Sequence, residues 1–288
     1  LIKNSFDLSC GFIVFFQYKN FEVLKLGVHI KKHQLKVALN ILKDVDVILC
    51  EDTRDTGLLL NHFQIKKKLI SCHEYNEEKQ ISTVLSLLSD GLNIALVTDQ
   101  GTPIISDPGF VISRAVIQAG YSVISLPGPT AFVPALTSSG IDPSPFLFYG
   151  FLNSKKNKQI EELNCLKKIK YTMIFYESVH RLQPTLENML SVFGDRNIAV
   201  CRELSKIHEE ICRDKISSIL PIVSSMKGEF VLVVSGNKEQ IDYSNLDVVS
   251  HVQLYLDDDM SEKEAIKLVA KERGVAKSII YNEYHNRK

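Results

Sequence analysis

The chain has 288 residues, 45% hydrophobic and 24% charged, a composition that suits a globular protein long enough for two domains. Lysine plus arginine and aspartate plus glutamate each number 34, so whole-chain charge argues for no polyanionic partner, and any such partner must be read from local patches. No stretch approaches the roughly 20 apolar residues of a membrane span. The six cysteines form no CxxC pair and the eight histidines show no HxxxH or HxH spacing. That pattern speaks for free thiols in a reducing cytoplasm and against a metal site. Phe12–Phe16 is too short for the core of a secretory signal.

From about residue 37 the pattern alternates. Val45–Cys50 reads as a strand, Thr56–Phe63 as a short helix and Leu69–Cys72 as a strand. Ile81–Leu88 reads as a helix, with Ile81, Val84, Leu85 and Leu88 on one face. Asn93–Thr98 predicts a buried strand, Pro108–Ala119 a helix and Tyr121–Leu126 a strand. Strands separated by helices of this length predict a largely parallel sheet covered on both faces, an α/β domain over residues 37–142. The turn-rich Ser139–Pro145 marks its end.

A second α/β domain, 143–240, follows, with strands at Tyr171–Tyr176, Asn197–Cys201 and Phe230–Ser235 and a helix carrying Val179, Leu182, Leu186, Met189 and Leu190. Gly236–Val249 is polar and linker-like. In the final block, 241–288, Ser261 and Glu264 fit a capping box, Gly274 breaks the helix, and Ile279, Ile280 and Tyr284 mark a second one. Two short helices joined at a glycine fit a helix-turn-helix as well as a plain helical hairpin.

Chemistry is concentrated in loops at strand ends, where α/β sheets bind ligands. Asp99-Gln-Gly-Thr-Pro-Ile-Ile-Ser-Asp-Pro-Gly109 is longer than a plain βα connection needs. Its Asp107-Pro108 fits an N-cap followed by proline at the first helical position. Ser125–Thr130 also opens a helix, with Thr130 available as the cap, and Glu51-Asp-Thr-Arg54 closes a third strand. These three loops suggest one crevice, in which helix-start N–H groups favour a carboxylate or phosphate. Neither GxGxxG nor GxxxxGK[ST] occurs, so a nucleotide phosphate cradle is not supported. Phe175–Arg181 places Glu177, His180 and Arg181 within about one turn, and Arg202-Glu203 is in a position to meet Glu177 or Arg181. Lys155, Lys156 and Lys158 are either a solvated face or a phosphate-contacting patch.

In their order, Glu51–Gly57, Asp99–Gly109, Leu126–Ala131, Phe175–Arg181, Arg202–Lys206 and Lys227–Leu232 resemble the motifs of the ribosomal RNA small subunit methyltransferase I family, within the tetrapyrrole-methylase superfamily. The likeness runs from about residue 37 to the C-terminus. It implies a two-domain tetrapyrrole-methylase-like fold, with a mostly parallel N-terminal sheet, a mixed second sheet and a small helical C-terminal block. It also implies an S-adenosyl-L-methionine-dependent enzyme that methylates the ribose 2′-OH of a decoding-region cytidine in 16S rRNA. The implied partner is the assembled small ribosomal subunit, and the implied state is a cytoplasmic homodimer that uses no metal. By the same resemblance, Gly101, Thr102, Pro103, Ser106 and Asp107 border the cofactor from one side and Thr130 and Ala131 from the other. Phe175 and Gly228 come from the second domain. Glu51, Arg54, Glu177 and Arg181 fall on the acceptor side without assigned roles, and Lys155 and Lys156 contact RNA.

Residues 1–36 depart from the family. Its opening strand has Phe12–Phe16 or Phe21–Leu26 as stand-ins, and its first pocket turn has only Leu26–Lys31, with Gly27 as the one candidate glycine. Two other readings stay open: a degenerate member that binds RNA or the ribosome without catalysis, and a tetrapyrrole methyltransferase.

Overall fold

A computed structural model describes residues 12–16, 31–99, 101–126, 128–238, 246–257 and 260–286, with side chains from residue 37 onward. Phe21–Leu26 and Gly27 lie outside the described residues. The chain forms two compact units, Leu1–Gly236 and Asn237–Lys288.

The first sheet is built from β1 (Phe12–Phe16), β2 (Val47–Cys50), β3 (Lys68–Ser71), β4 (Ile94–Val97) and β5 (Ser122–Ser125), in the order β3-β2-β4-β1-β5. β2 pairs in parallel with β3 and with β4. Every residue of β2 and β4 is buried, because helices cover both faces and neither face can be polar. The four helices between these strands are α1 (Lys31–Asp44), α2 (Thr53–His62), α3 (Glu77–Ser89) and α4 (Phe110–Gln118). Leu49, Leu96, Val84, Leu88 and Ile112 pack on one side of the sheet, and Ile48, Ala95, Val97, Leu42 and Leu60 on the other. β1 departs from the parallel expectation: it lies between β4 and β5 and is antiparallel to both.

Two element starts differ from the sequence reading. α3 begins at Glu77 rather than Ile81, since its first turn is polar and shows no apolar period, while Glu77 and Glu78 suit the positive helix end. α4 begins at Phe110 rather than Pro108, with Gly109 at φ 127° as its N-cap.

After α5 (Phe132–Ser138), the second sheet comprises β6 (Phe146–Phe151), β7 (Thr172–Ser178), β8 (Asn197–Arg202), β9 (Glu210–Lys215) and β10 (Glu229–Val234), in the order β6-β7-β10-β8-β9. It is mixed: β6 and β7 are parallel and the remaining pairs antiparallel. α6 (Lys156–Leu166), α7 (Leu182–Phe193) and the short α8 (Ile216–Ile219) bury Leu163, Leu186, Met189 and Ile216 against Met173, Phe175 and Leu232. α5 covers the other face, through Ala135 and Leu136 against Ile174, Ala199 and Val233.

The C-terminal unit has three helices, α9 (Val248–Asp257), α10 (Glu262–Glu272) and α11 (Lys277–Asn286), around Val252, Ile266, Val269, Ile280 and Tyr284. α9 starts inside the stretch read as linker; its Val-Val-Ser-His-Val opening gives no helical signal on its own. Ser261 is the N-cap of α10, but its hydroxyl donates to the Glu264 carboxylate instead of completing a capping box to the backbone. His251 is fully buried, with Nε2 on Glu272 and Nδ1 accepting from Arg273 Nε. Among the described residues no helix is long and apolar enough to cross a membrane.

Candidate functional site

Within the first unit, a cleft of about 680 Å³ opens where the loops of the first sheet meet the second. This lies in the usual range for small-molecule sites. One wall is Gly101, Thr102, Ile105, Ser106 and Asp107, and a second is Pro129, Thr130, Ala131 and Val133. The second sheet contributes Phe151, Tyr176, Phe230 and Val231, with Glu203–Lys206 at its edge.

The two loops of the first sheet are tied together: Thr102 Oγ1 donates to the Pro129 carbonyl at 2.9 Å. The first loop is also strained. Gly101 (φ 73°), Ile104 (77°), Ser106 (66°) and Gly109 (127°) all occupy the left-handed region. For β-branched Ile104 this is a true outlier. Glu203 (48°) and Ser205 (64°), across the cleft, share the conformation, and only Gln64 among the other described non-glycine residues does. Strained backbone gathered on both sides of one cleft is the pattern of a ligand-shaping site.

What holds the strained loop is a residue the sequence reading did not single out. Glu77 is buried, and its Oε1 accepts from Gly109 N at 3.1 Å and Ile112 N at 3.0 Å. Asp107 is therefore not the N-cap of α4; it points into the cleft, where the Oδ2 atom lies against Gly101. Thr130 is likewise not the cap of α5, whose N-cap position is Ala131. The Tyr176 hydroxyl reaches the backbone of Phe132 and Ala131 there, and burial pushes its pKa above the usual value. At α2 the start is capped by Asp52, which accepts from Arg54 N. All three helix starts are thus occupied by protein oxygens, so they form no open cradle for an anion.

The charge near the cleft is instead acidic. Burial, followed by the negative fields of Glu51 and Asp99, pushes the Asp107 carboxyl up to about 7. Burial and then Asp99 raise Glu51, although the Asp99 backbone N–H offsets part of this. Burial raises Asp99 too, followed by repulsion from Asp55 and Asp52. A half-buried group of carboxylates held against their own repulsion favours a cationic ligand.

Glu51 sits at the end of β2, coupled to Asp99 and Asp107 but outside the cleft lining. The Arg54 side chain is 86% exposed and pairs with Asp52 at 2.6 Å, holding that carboxyl down at about 2. Glu177 borders the cleft, yet its carboxylate is buried and accepts from Ser178 N and Thr185 Oγ1 while pairing with Arg181. Arg181 also donates to the Leu152 carbonyl, locking the end of β6 to the start of α7. Arg202 and Glu203 meet neither of them. Arg202 binds the Lys227 carbonyl and Glu210, and Glu203 binds Lys206 and Glu229 N.

Phe175 is fully buried in the core beside Tyr149, and it is Tyr176 that faces the cleft. Pro103 is buried and does not line the cleft. Gly228 (φ 113°) lets the Glu203 side chain lie where a Cβ would be, 2.6 Å from its Cγ. Lys155 and Lys156 are exposed at the start of α6. Cys72 and Cys201 are buried free thiols raised by burial to about 12.

Comparison with known proteins agrees with this architecture. Residues 36–220 match the model of the tetrapyrrole (corrin/porphyrin) methylases. A ribosomal RNA small subunit methyltransferase I of Halalkalibacterium halodurans is 44% identical over 255 residues, covering 86% of this chain and 88% of the relative. The Bacillus subtilis protein of the same name is 44% identical over 256 residues, with the same coverage. That of Escherichia coli O157:H7 is 40% identical over 249 residues, covering 85% and 87%. Among solved structures, a cobalt precorrin-4 methyltransferase superposes with a TM-score of 0.50 at 15% identity, over 69% of this chain and 87% of that one, a likeness of fold. With its fold, its cleft and this degree of identity, the chain belongs to the tetrapyrrole methylase family, among the ribosomal RNA small subunit methyltransferases I.

Proposed function

We propose that this chain transfers a methyl group from S-adenosyl-L-methionine to the ribose 2′-OH of a decoding-region cytidine in 16S rRNA, acting in the cytoplasm as a homodimer on the assembled small subunit. The carrying observation is the cleft itself, apolar on most of its walls and acidic at one side. The residues suit the cofactor. Ile105, Val133, Leu204 and Phe230 suit an adenine ring, and Asp107 suits a sulfonium or ammonium cation.

When bound, S-adenosylmethionine supplies an electrophilic methyl on a sulfonium. The protein's part is alignment. The loop from Gly101 to Asp107, bound to the Pro129–Ala131 loop through Thr102, sets the donor side. Tyr176, itself fixed on the start of α5, forms part of the surface opposite. Holding donor and acceptor in line supplies much of the rate in such a displacement. Burial holds the Asp107 carboxyl up at about 7, and a bound cation draws it toward the ionised form. Lys155 and Lys156 offer phosphate contacts on the exposed rim of the second sheet.

The reading is tested by incubating the folded protein with isotope-labelled S-adenosylmethionine and purified small ribosomal subunits, then mapping the label. Label on a decoding-region cytidine ribose is expected. No incorporation by protein that binds the cofactor overturns it.

A further inference from the structure

The cleft carries an aromatic side chain that the core does not need. Phe151 ends β6, the edge strand of the second sheet, and is 51% exposed while lining the cleft. A lone exposed apolar residue is ordinary; the way this one is placed is not. In an unbroken strand, residues 148 and 151 point to opposite faces. Here the register of β6 on β7 shifts between Phe148 and Gly150. The bulge turns Phe151 onto the same face as Phe148, so both rings pack on Tyr176, at 5.6 and 5.1 Å between centroids. Gly150 (φ 81°) permits the bulge, and its missing Cβ leaves room for Ser106 Oγ, 3.0 Å from where that atom would stand. Bulges beside functional sites typically re-aim one side chain.

Phe151 is also held in place. It meets Tyr176 edge-on, at an interplanar angle of 66°, and Tyr176 is in turn fixed on the backbone of α5. The chain then runs straight into the basic start of α6, with Lys155, Lys156 and Lys158 exposed four to seven residues on. The acidic group around Asp107 is close by: Ser106 faces Gly150, and the Asp107 charge reaches the Tyr176 hydroxyl. The exposed lysines just beyond Phe151 suit a polyanion, and Asp107 suits a cation.

We infer that Phe151, backed by Tyr176, is a stacking platform for an unstacked nucleobase of the RNA substrate, at or next to the acceptor nucleotide. This rests on the proposed RNA methylation and adds the subsite that seats the base. An aromatic face rewards an exposed base without reading its sequence, and seating that base also seats the ribose attached to it.

The test uses the full chain, wild type and with Phe151→Leu or Phe151→Trp. Leucine keeps apolar volume without a π-face, and tryptophan restores one. A short single-stranded RNA carrying 2-aminopurine at the acceptor position is titrated onto each protein, and S-adenosylmethionine binding is measured by calorimetry in parallel. Stacking should quench the fluorophore in the wild type and Phe151→Trp. Phe151→Leu should lose the quench and bind the RNA about 10-fold more weakly, the scale of one base–aromatic stack, with cofactor affinity unchanged. An unquenched wild type, or equal quenching in Phe151→Leu, overturns the platform. So does loss of cofactor binding in Phe151→Leu, which would assign the ring to the cofactor. Intact quenching without methyl transfer to small subunits would instead overturn the proposed reaction and leave the platform standing.

Discussion

Glu77→Ala is the sharpest test of how the cleft is held. Glu77 lies on α3, yet its Oε1 is the acceptor for two N–H groups at the start of α4, 32 and 35 residues away. Hydrogen bonds to a charged group are worth about 1.5–3 kcal/mol each, so removing the carboxylate forfeits roughly 3–6 kcal/mol. It also leaves the Gly109 and Ile112 donors buried without a partner. That is a large part of the total stability of about 5–15 kcal/mol for a native protein. The loss should be concentrated in the strained loop, because Gly109 is its last residue. Urea unfolding is expected to show the drop, and calorimetry at low denaturant to show cofactor binding weakened at least 10-fold in molecules that remain folded. Glu77→Gln keeps an oxygen at the same place and should recover more than half of both effects. A Glu77→Ala protein within about 0.5 kcal/mol of wild type, with unchanged cofactor affinity, would refute the clamp.

The remaining expectations follow from the same geometry. Asp107 has a folded pKa of about 7 against an ordinary carboxylate value near 4, so the native state binds more protons between these limits and loses stability as pH rises through them. Asp107→Asn should therefore melt higher than wild type at pH 8 and equal to it at pH 4. Cofactor binding is expected to tighten from pH 6 to 8 in the wild type and to lose that slope in the variant. At Gly109 a Cβ would stand 2.4 Å from Leu96 Cδ2, so Gly109→Ala should cost about 3 kcal/mol or more in a denaturant melt. Gly120→Ala, where nothing lies within 4 Å, should cost only the backbone strain of about 1–2 kcal/mol. Glu177→Ala removes a carboxylate that is 1% exposed and takes the acceptor from Ser178 N and Thr185 Oγ1, so it should cost about 1–3 kcal/mol; a urea midpoint equal to wild type would contradict that role.

Some of this protein could be read directly from its residues. The apolar runs through Ile48 and Leu96, the helical period from Ile81 to Leu88 and the loop chemistry of Asp99–Gly109 are local signals, set by alternation, periodicity and turn residues. So were the cleft's two first-sheet walls, because strand-end loops in α/β sheets converge on one edge. Other features depend on groups far apart in sequence. Asp107-Pro108 carries a valid capping signature, but the carboxylate from Glu77 takes the helix start and frees Asp107 for the cleft. Phe175 and Tyr176 are equally apolar-looking neighbours, and only the strand's orientation in the second sheet sends Phe175 to the core and Tyr176 to the cleft. The antiparallel placement of β1 and the bulge that turns Phe151 outward depend on pairing across strands. Sequence period sets which faces of a segment are apolar; which partner covers them, and which polar group reaches across to satisfy a buried donor, is decided only when the elements pack.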